Sequence, residues 1–312
     1  MSLVRKSLWA VAPVLCAGAL AACGSSSNTP ANSSVGTSAT GGTGTSSTTS
    51  GANAAVEKLV PASIKSSGTL TVAADATYPP DESIASDGHT VIGMDADLAK
   101  ALAAVMGLKA NVMNVTFDSI IPGLAAGKYD MGASSFTDTK VREKTVNFVD
   151  YASVGESFYT KAQGGVNISG IGDICGKTVA VEKGTTEQND ATAQSSKCTK
   201  AGKPPVTVLV FPDQNGANLA VASRKAQLGF ADTPPAIYVT RKSGGQFKLV
   251  GAQYATAPYG LAIPKGTTLD KAVLAAMKIL VANGTYAKIF QKWGLKGSEI
   301  PASQIKINGA TS

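Results

Sequence analysis

Short apolar runs and longer amphipathic segments alternate along the chain in two successive series. Residues 69–74 form an apolar run of strand length. Leu98, Leu102 and Val105 then recur at helical spacing, with Asp95 read as the N-cap and Gly107 as the stop. Residues 110–115 predict a second strand, 117–126 a short helix containing Pro122, and 129–133 a third strand. A similar series follows Gly164: strands at 177–181, 206–211 and 226–231, and helices at 185–196, 214–223 and 234–242. Residues 259–263 read as a strand returning to the first series, and helices at 269–282 and 285–293 close the chain. Strands separated by helices predict an α/β fold with mainly parallel sheets. Its two lobes would be joined by crossing strands near 157–161 and 257–263, with a ligand cleft between them.

The first 56 residues follow neither period. Arg5 and Lys6 precede an apolar run from Leu8 to Ala22 that is interrupted by Pro13 and ends in Leu20-Ala21-Ala22-Cys23. A basic head, a run too short to span a bilayer and small residues before a cut describe a secretory signal. The last four residues match the bacterial lipobox, which implies cleavage before Cys23 and a diacylglycerol on its thiol. From Gly24 to Val56 the chain is Ser, Thr, Gly, Asn and Ala with one Pro and two Val, and no charged residue stands between Lys6 and Glu57. Such a stretch buries too little apolar surface to offset its ordering entropy and predicts a flexible tether with a reach of about 30 Å. The expected organisation is a signal at 1–22, a tether at 23–56 and lobe 1 at 57–160. Lobe 2 follows at 161–256, the return to lobe 1 at 257–300 and a C-terminal tail at 301–312.

Cysteine usage agrees with export. Of 4 Cys, Cys16 leaves with the signal and Cys23 carries lipid, so Cys175 and Cys198 remain and invite a disulfide. The single His89 leaves no further soft ligand, so no metal or cofactor is expected. The formal charge of +7 becomes +5 once Arg5 and Lys6 are removed, and no basic run exceeds two residues, which argues against a nucleic-acid partner.

Eight motifs stand in order: Tyr78-Pro79-Pro80, GMDADL at 93–98, IPGLAAGKYD at 121–130, TKVR at 139–142, KGTT at 183–186, FAD at 230–232, YGLAIPK at 259–265 and NGTY at 283–286. Together they resemble family 3 of the bacterial extracellular solute-binding proteins, the polar amino-acid binders, over roughly residues 67–295. The resemblance implies the two-lobe, type II periplasmic-binding-protein-like fold. It also implies a monomer with a free amino acid as ligand and the permease of an ABC importer as partner.

An amino acid presents a carboxylate and an ammonium on one carbon, so its binder needs a fixed cation and a fixed anion. Arg142 aligns with the family's carboxylate-binding arginine, whose planar fork a lysine cannot reproduce. Thr185 and Thr186 open a helix whose free N–H groups suit the same anion. Asp232 matches the ammonium-binding aspartate, with Ser134, Ser135 and Thr137 as further polar contacts. Tyr78 and Phe117 align with aromatics that sandwich the ligand's side chain, and Asp75 with a carboxylate that contacts it. Each residue has a plainer reading as a cap, turn or packing residue. The chain departs from the family pattern at Asp81, where an aromatic is usual, and at Glu187, where glutamine is common. With Glu182 these acids favour a cationic side chain, then an amide, unless Asp81 and Glu187 face solvent. Two other functions share the scaffold: a dehydratase using a cleft carboxylate such as Glu182 or Glu187, and a sensor module. Neither a Ser-His nor a Cys-His pair can be assembled, so the expectation is a binder with no catalytic residues.

Overall fold

The computed structural model describes residues 51–311. The expected signal, the lipid on Cys23 and the tether as far as residue 50 lie outside them. Residues 54–56, expected as tether, are folded. The Asn53 side chain accepts from the N–H groups of Ala55 (3.0 Å) and Val56 (3.2 Å) and caps α1 (Ala54–Glu57). Val56 then packs into the lobe 1 core. One capping side chain and one β-branched residue suffice to end the tether early.

Lobe 1 continues through α2 (Ala62–Ser67), β1 (Thr69–Ala74), β2 (Thr77–Tyr78), β3 (Glu82–Ile84) and β4 (Val91–Ile92). It goes on through α3 (Met94–Val105), β5 (Lys109–Asn114), α4 (Phe117–Ala125) and β6 (Met131–Gly132). The long strand β7 (Val146–Lys161) crosses to lobe 2, which holds β8 (Thr178–Glu182), α5 (Thr186–Lys200), β9 (Thr207–Phe211), α6 (Gln214–Ala222), β10 (Leu228–Asp232) and α7 (Thr233–Lys242). A second long strand, β11 (Phe247–Pro264), returns to lobe 1, where α8 (Leu269–Ala282) and α9 (Thr285–Lys292) follow.

One 8-stranded sheet runs through both lobes in the order β5-β1-β6-β11-β7-β10-β8-β9. Its outer blocks are parallel, as expected, but the central pair β7 and β11 is antiparallel, so the sheet is mixed. The crossing strands are far longer than the segments expected, running from lobe to lobe with register shifts between Val250 and Tyr254 and between Tyr254 and Ala257. A Cβ at Gly155 would lie 2.3 Å from the exposed Gln253 side chain, which would have to swing aside to admit it. Strands β2, β3 and β4 form a separate 3-stranded sheet, too short in each strand for periodicity to reveal.

Burial follows the sequence periods. Leu98, Leu102 and Val105 of α3, and Leu269, Val273, Met277 and Leu280 of α8, pack on one core with Tyr151, Tyr259 and Leu261 from the crossing strands. Each fully buried leucine stabilises the lobe by about 1.5–3 kcal/mol. In lobe 2, Val179 and Val181 of β8 pack with Leu228 and Phe230 of β10 and with Ala191 and Cys198 of α5. Cys198 forms a disulfide with Cys175, the Cα atoms 5.6 Å apart, which ties α5 to the loop before β8.

Two expectations fail here. Residues 301–312 were expected as a tail, but Ile305 and Ala310 are buried, Ile307 pairs with Val149, and the Ala310 N–H reaches the Asp138 carboxylate at 3.1 Å. Two isoleucines in alternation give the segment a face to bury, so it is part of lobe 1. Asp95 is not the N-cap of α3. That position is Gly93, at φ 138°, where a Cβ would lie 2.1 Å from the Asp81 carbonyl oxygen. Asp95 sits in the first turn and is buried, accepting from the Tyr151 hydroxyl and the Ser135 N–H, each at 2.7 Å.

Candidate functional site

The ends of β1, β8 and β10 and the N-termini of α4 and α5 converge on a cavity between the lobes that is closed down to about 10 Å³ of water-accessible space. All twelve residues singled out from the sequence line it, together with Glu82. On the lobe 1 side, Asp75 follows β1. Its carboxylate accepts from the Thr77 N–H (3.0 Å), the Thr77 hydroxyl (2.7 Å) and the Phe117 N–H (3.0 Å). The Ser134 hydroxyl accepts from the Asp75 N–H at 2.8 Å and donates to Glu82 at 2.9 Å. Ser135 adopts a left-handed backbone at φ 51°, which turns its N–H onto Asp95.

Arg142 occupies a short 3₁₀ turn, Arg142–Lys144, and is half-buried. One guanidinium nitrogen donates to the Thr137 carbonyl at 2.8 Å and the other crosses the cleft to the Gly184 carbonyl at 3.0 Å. The guanidinium also lies 5.4 Å from the Phe117 ring centre and 5.6 Å from that of Phe136, and these rings stack at 4.6 Å. Phe117 therefore both packs and lines the cavity. Burial pulls the guanidinium's pKa down.

Lobe 2 supplies the opposite wall. Thr185 is the N-cap of α5, its hydroxyl donating to the Glu182 carbonyl (2.8 Å) and accepting from the Gln188 N–H (3.1 Å). With that hydroxyl committed, the helix end offers its free N–H groups and the Thr186 hydroxyl, which lies 3.3 Å from the Thr137 hydroxyl across the cleft. Asp232 ends β10 at the N-cap position of α7 but makes no capping bond. It meets Tyr78 instead: the Tyr78 hydroxyl donates to the carboxylate at 3.0 Å and accepts from the Asp232 N–H at 2.8 Å. Burial raises the Asp232 carboxyl to about 6. Burial and the charges of Asp75 and Asp232 respectively push Glu182 and Glu187 well above the carboxylate range.

Asp81 and Glu187 do not face solvent. Asp81 is fully buried and Glu187 is 2 % exposed. Asp81 and Asp95 lie behind the cavity-lining Glu82, and burial first raises each of the three above its ordinary pKa. Sequence reasoning missed Glu82, although an acidic residue inside the run Glu82-Ser83-Ile84 is the kind of exception that marks a site. It also missed Glu156 on β7, opposite Asp232 in the sheet, whose carboxyl burial raises to about 8. Five acids, Asp75, Glu82, Glu182, Glu187 and Asp232, thus line the cavity against the single cation Arg142. One oxygen each of Glu182 and Glu187 is buried without a partner.

The lobes are closed over this cavity. Besides the contacts of Arg142, Thr186 and Tyr78, Lys183 pairs with Asp118 at 2.7 Å, and the Gln214 N–H reaches the Thr77 hydroxyl at 3.2 Å. Gly184, at φ 82°, brings this loop against Asp118, where an added Cβ would meet the Asp118 Cβ at 3.0 Å.

Residues 70–296 match the family model of the bacterial extracellular solute-binding proteins, family 3. The chain belongs to this family. The arginine-binding protein ArgT of Corynebacterium glutamicum is 34 % identical over 242 residues, 77 % of this chain and 79 % of that one. An ancestral arginine-binding protein solved bound to arginine superposes with a TM-score of 0.66 at 33 % identity, covering 72 % of this chain and 98 % of its own. An ancestral amino-acid-binding protein described as a precursor of cyclohexadienyl dehydratase gives 0.64 at 32 % identity, with 74 % and 97 % covered. The two-lobe architecture of this family 3 protein is therefore that of amino-acid-binding relatives.

Proposed function

We propose that this family 3 protein captures a free amino acid with a cationic side chain, L-arginine first, and delivers it to the permease of an ABC importer. The observation that carries the reading is the charge of the cavity: five acids against one arginine, with buried oxygens of Glu182 and Glu187 left unpartnered. Buried carboxylates without partners are costly, and a guanidinium or ammonium group offsets that cost directly. The similarity to arginine-binding relatives points the same way.

Arg142 and the N-terminus of α5 take the α-carboxylate, with the Thr185 cap fixing the helix end and Thr186 and Thr137 completing the grip. Asp232 takes the α-ammonium, assisted by Ser134, Ser135 and Thr137. Asp75, Glu182 and Glu187 take the side-chain charge between Tyr78 and Phe117. Because these groups come from both lobes, the ligand bridges the cleft and the crossing strands act as the hinge. The protein works outside the cytoplasm, held to the membrane by lipid on Cys23, and the closed form is what the permease recognises.

One observation favours a second reading, the likeness to a dehydratase precursor. Glu182, whose carboxyl burial raises above its ordinary range, is the candidate acid. The Tyr78–Asp232 arrangement suits a free ammonium, which favours capture without turnover. Titration calorimetry of the full chain with L-arginine, beside Arg142→Ala, tests the proposal. Tight binding lost in the variant supports it, and the recovered ligand is chemically unchanged. Absence of binding, or conversion of a cyclohexadienyl acid, overturns it.

A further inference from the structure

A second concavity of about 620 Å³ lies beside the hinge, and its chemistry is opposite to that of the cleft. One wall is the end of α7 in lobe 2, with Arg241 and Lys242; the other is the end of α9 and the loop after it in lobe 1, with Lys292 and Lys296. Ser153 of β7 and Gln253 of β11 line it between them. No Asp or Glu lines it. Lys292 is paired with Asp97 at 2.6 Å, whereas Arg241, Lys242 and Lys296 have no acidic partner among the described residues. The rings of Tyr238 and Trp293 supply apolar surface, the Trp293 N–H being engaged by Asp97 at 2.8 Å.

We propose that this groove binds a small multivalent anion, of phosphate or polycarboxylate type, that bridges the two lobes and favours their closed arrangement. Unpaired cations gathered around a concave site repel one another and raise the local concentration of counter-ions, and an anion between them relieves that repulsion. The volume falls within the roughly 300–1,000 Å³ typical of small-molecule sites, and a junction between lobes is where such sites concentrate. The chain's own N-terminal segment is not the occupant, because it carries no acidic residue before Glu57. An anion touching both walls discriminates between hinge angles, and a ligand shifts a conformational equilibrium only through such differential contact. The inference is independent of which amino acid occupies the cleft.

The test is calorimetric titration of the amino-acid-free full chain with inorganic pyrophosphate and, separately, citrate, at constant ionic strength. X-ray scattering on the same samples follows lobe closure. One saturable site is expected, weakened at least tenfold in the double variant Arg241→Ala, Lys296→Ala and unchanged in the charge-matched control Lys271→Ala, Lys278→Ala on α8. The radius of gyration should fall as the site fills. No saturable heat with either anion, equal weakening in the control, or a radius that stays constant on saturation each overturns the proposal.

Discussion

Arg142 spends its guanidinium on two backbone carbonyls, Thr137 in its own lobe and Gly184 across the cleft, while resting on Phe117 and Phe136. Hydrogen bonds to a charged group contribute about 1.5–3 kcal/mol each. Arg142→Ala should therefore weaken amino-acid binding by at least ~10-fold in calorimetry, and Arg142→Lys should not restore it, lacking the planar fork. Glu182→Gln and Glu187→Gln remove the negative charge that sets the side-chain preference, so each should reduce the ratio of L-arginine to L-glutamine affinity. The Asp232 carboxyl, raised to about 6, must be ionised to hold an ammonium group. Affinity should accordingly fall as pH drops through about 6 and recover above it, in titrations at pH 5 and pH 7.5. The motifs made Arg142, Asp232 and Thr186 legible in the sequence. The commitment of the Thr185 hydroxyl to its own helix, the left-handed Ser135 and the burial of Asp81 were not, because they depend on neighbours from distant parts of the chain.

At the scale of elements, α5 carries half of the grip and is fastened from behind by the Cys175–Cys198 disulfide, at a sequence separation of 23. Closing a loop of that length stabilises the fold by about 3 kcal/mol in the chain-entropy description. Replacing both cysteines by serine should lower unfolding stability in urea by that order. The C-terminal segment is fastened to the Arg142 loop through Asp138, which lies against Asp150 of β7. The Asp150 carboxyl is raised to about 8 by burial and by the Asp138 charge, and Glu156 to about 8 by burial and the charge of Asp232. In the unfolded chain such groups lose their protons near pH 4, whereas in the fold they keep them until about pH 8. Stability should therefore fall as pH rises from about 4 to about 8 and level off above. Asp150→Asn, which cannot ionise, should flatten that slope in melting curves across the range. Helices and buried strands were legible because their periods are long enough to register, α8 with both ends in place and α3 with only its cap misassigned. The strands of the small sheet, two or three residues each, and the packing of 301–311 were not, since each pattern is too short to register.

For the whole molecule, two lobes share one sheet, and closure brings together charges that neither lobe could bury alone. The fold was legible from the alternation of strands and helices together with the motif order, but the closed arrangement was not. It rests on pairs such as Lys183–Asp118 and Tyr78–Asp232, whose members lie far apart in sequence. A cleft lined by five acids and one arginine makes a ranked demand on its ligand. The most direct measurement is the order of calorimetric affinities of the full chain for L-arginine, L-glutamine and L-glutamate under one set of conditions. The account predicts L-arginine tightest, L-glutamine weaker and L-glutamate weakest. L-glutamate ranking first, or no binding of any of the three, would contradict it.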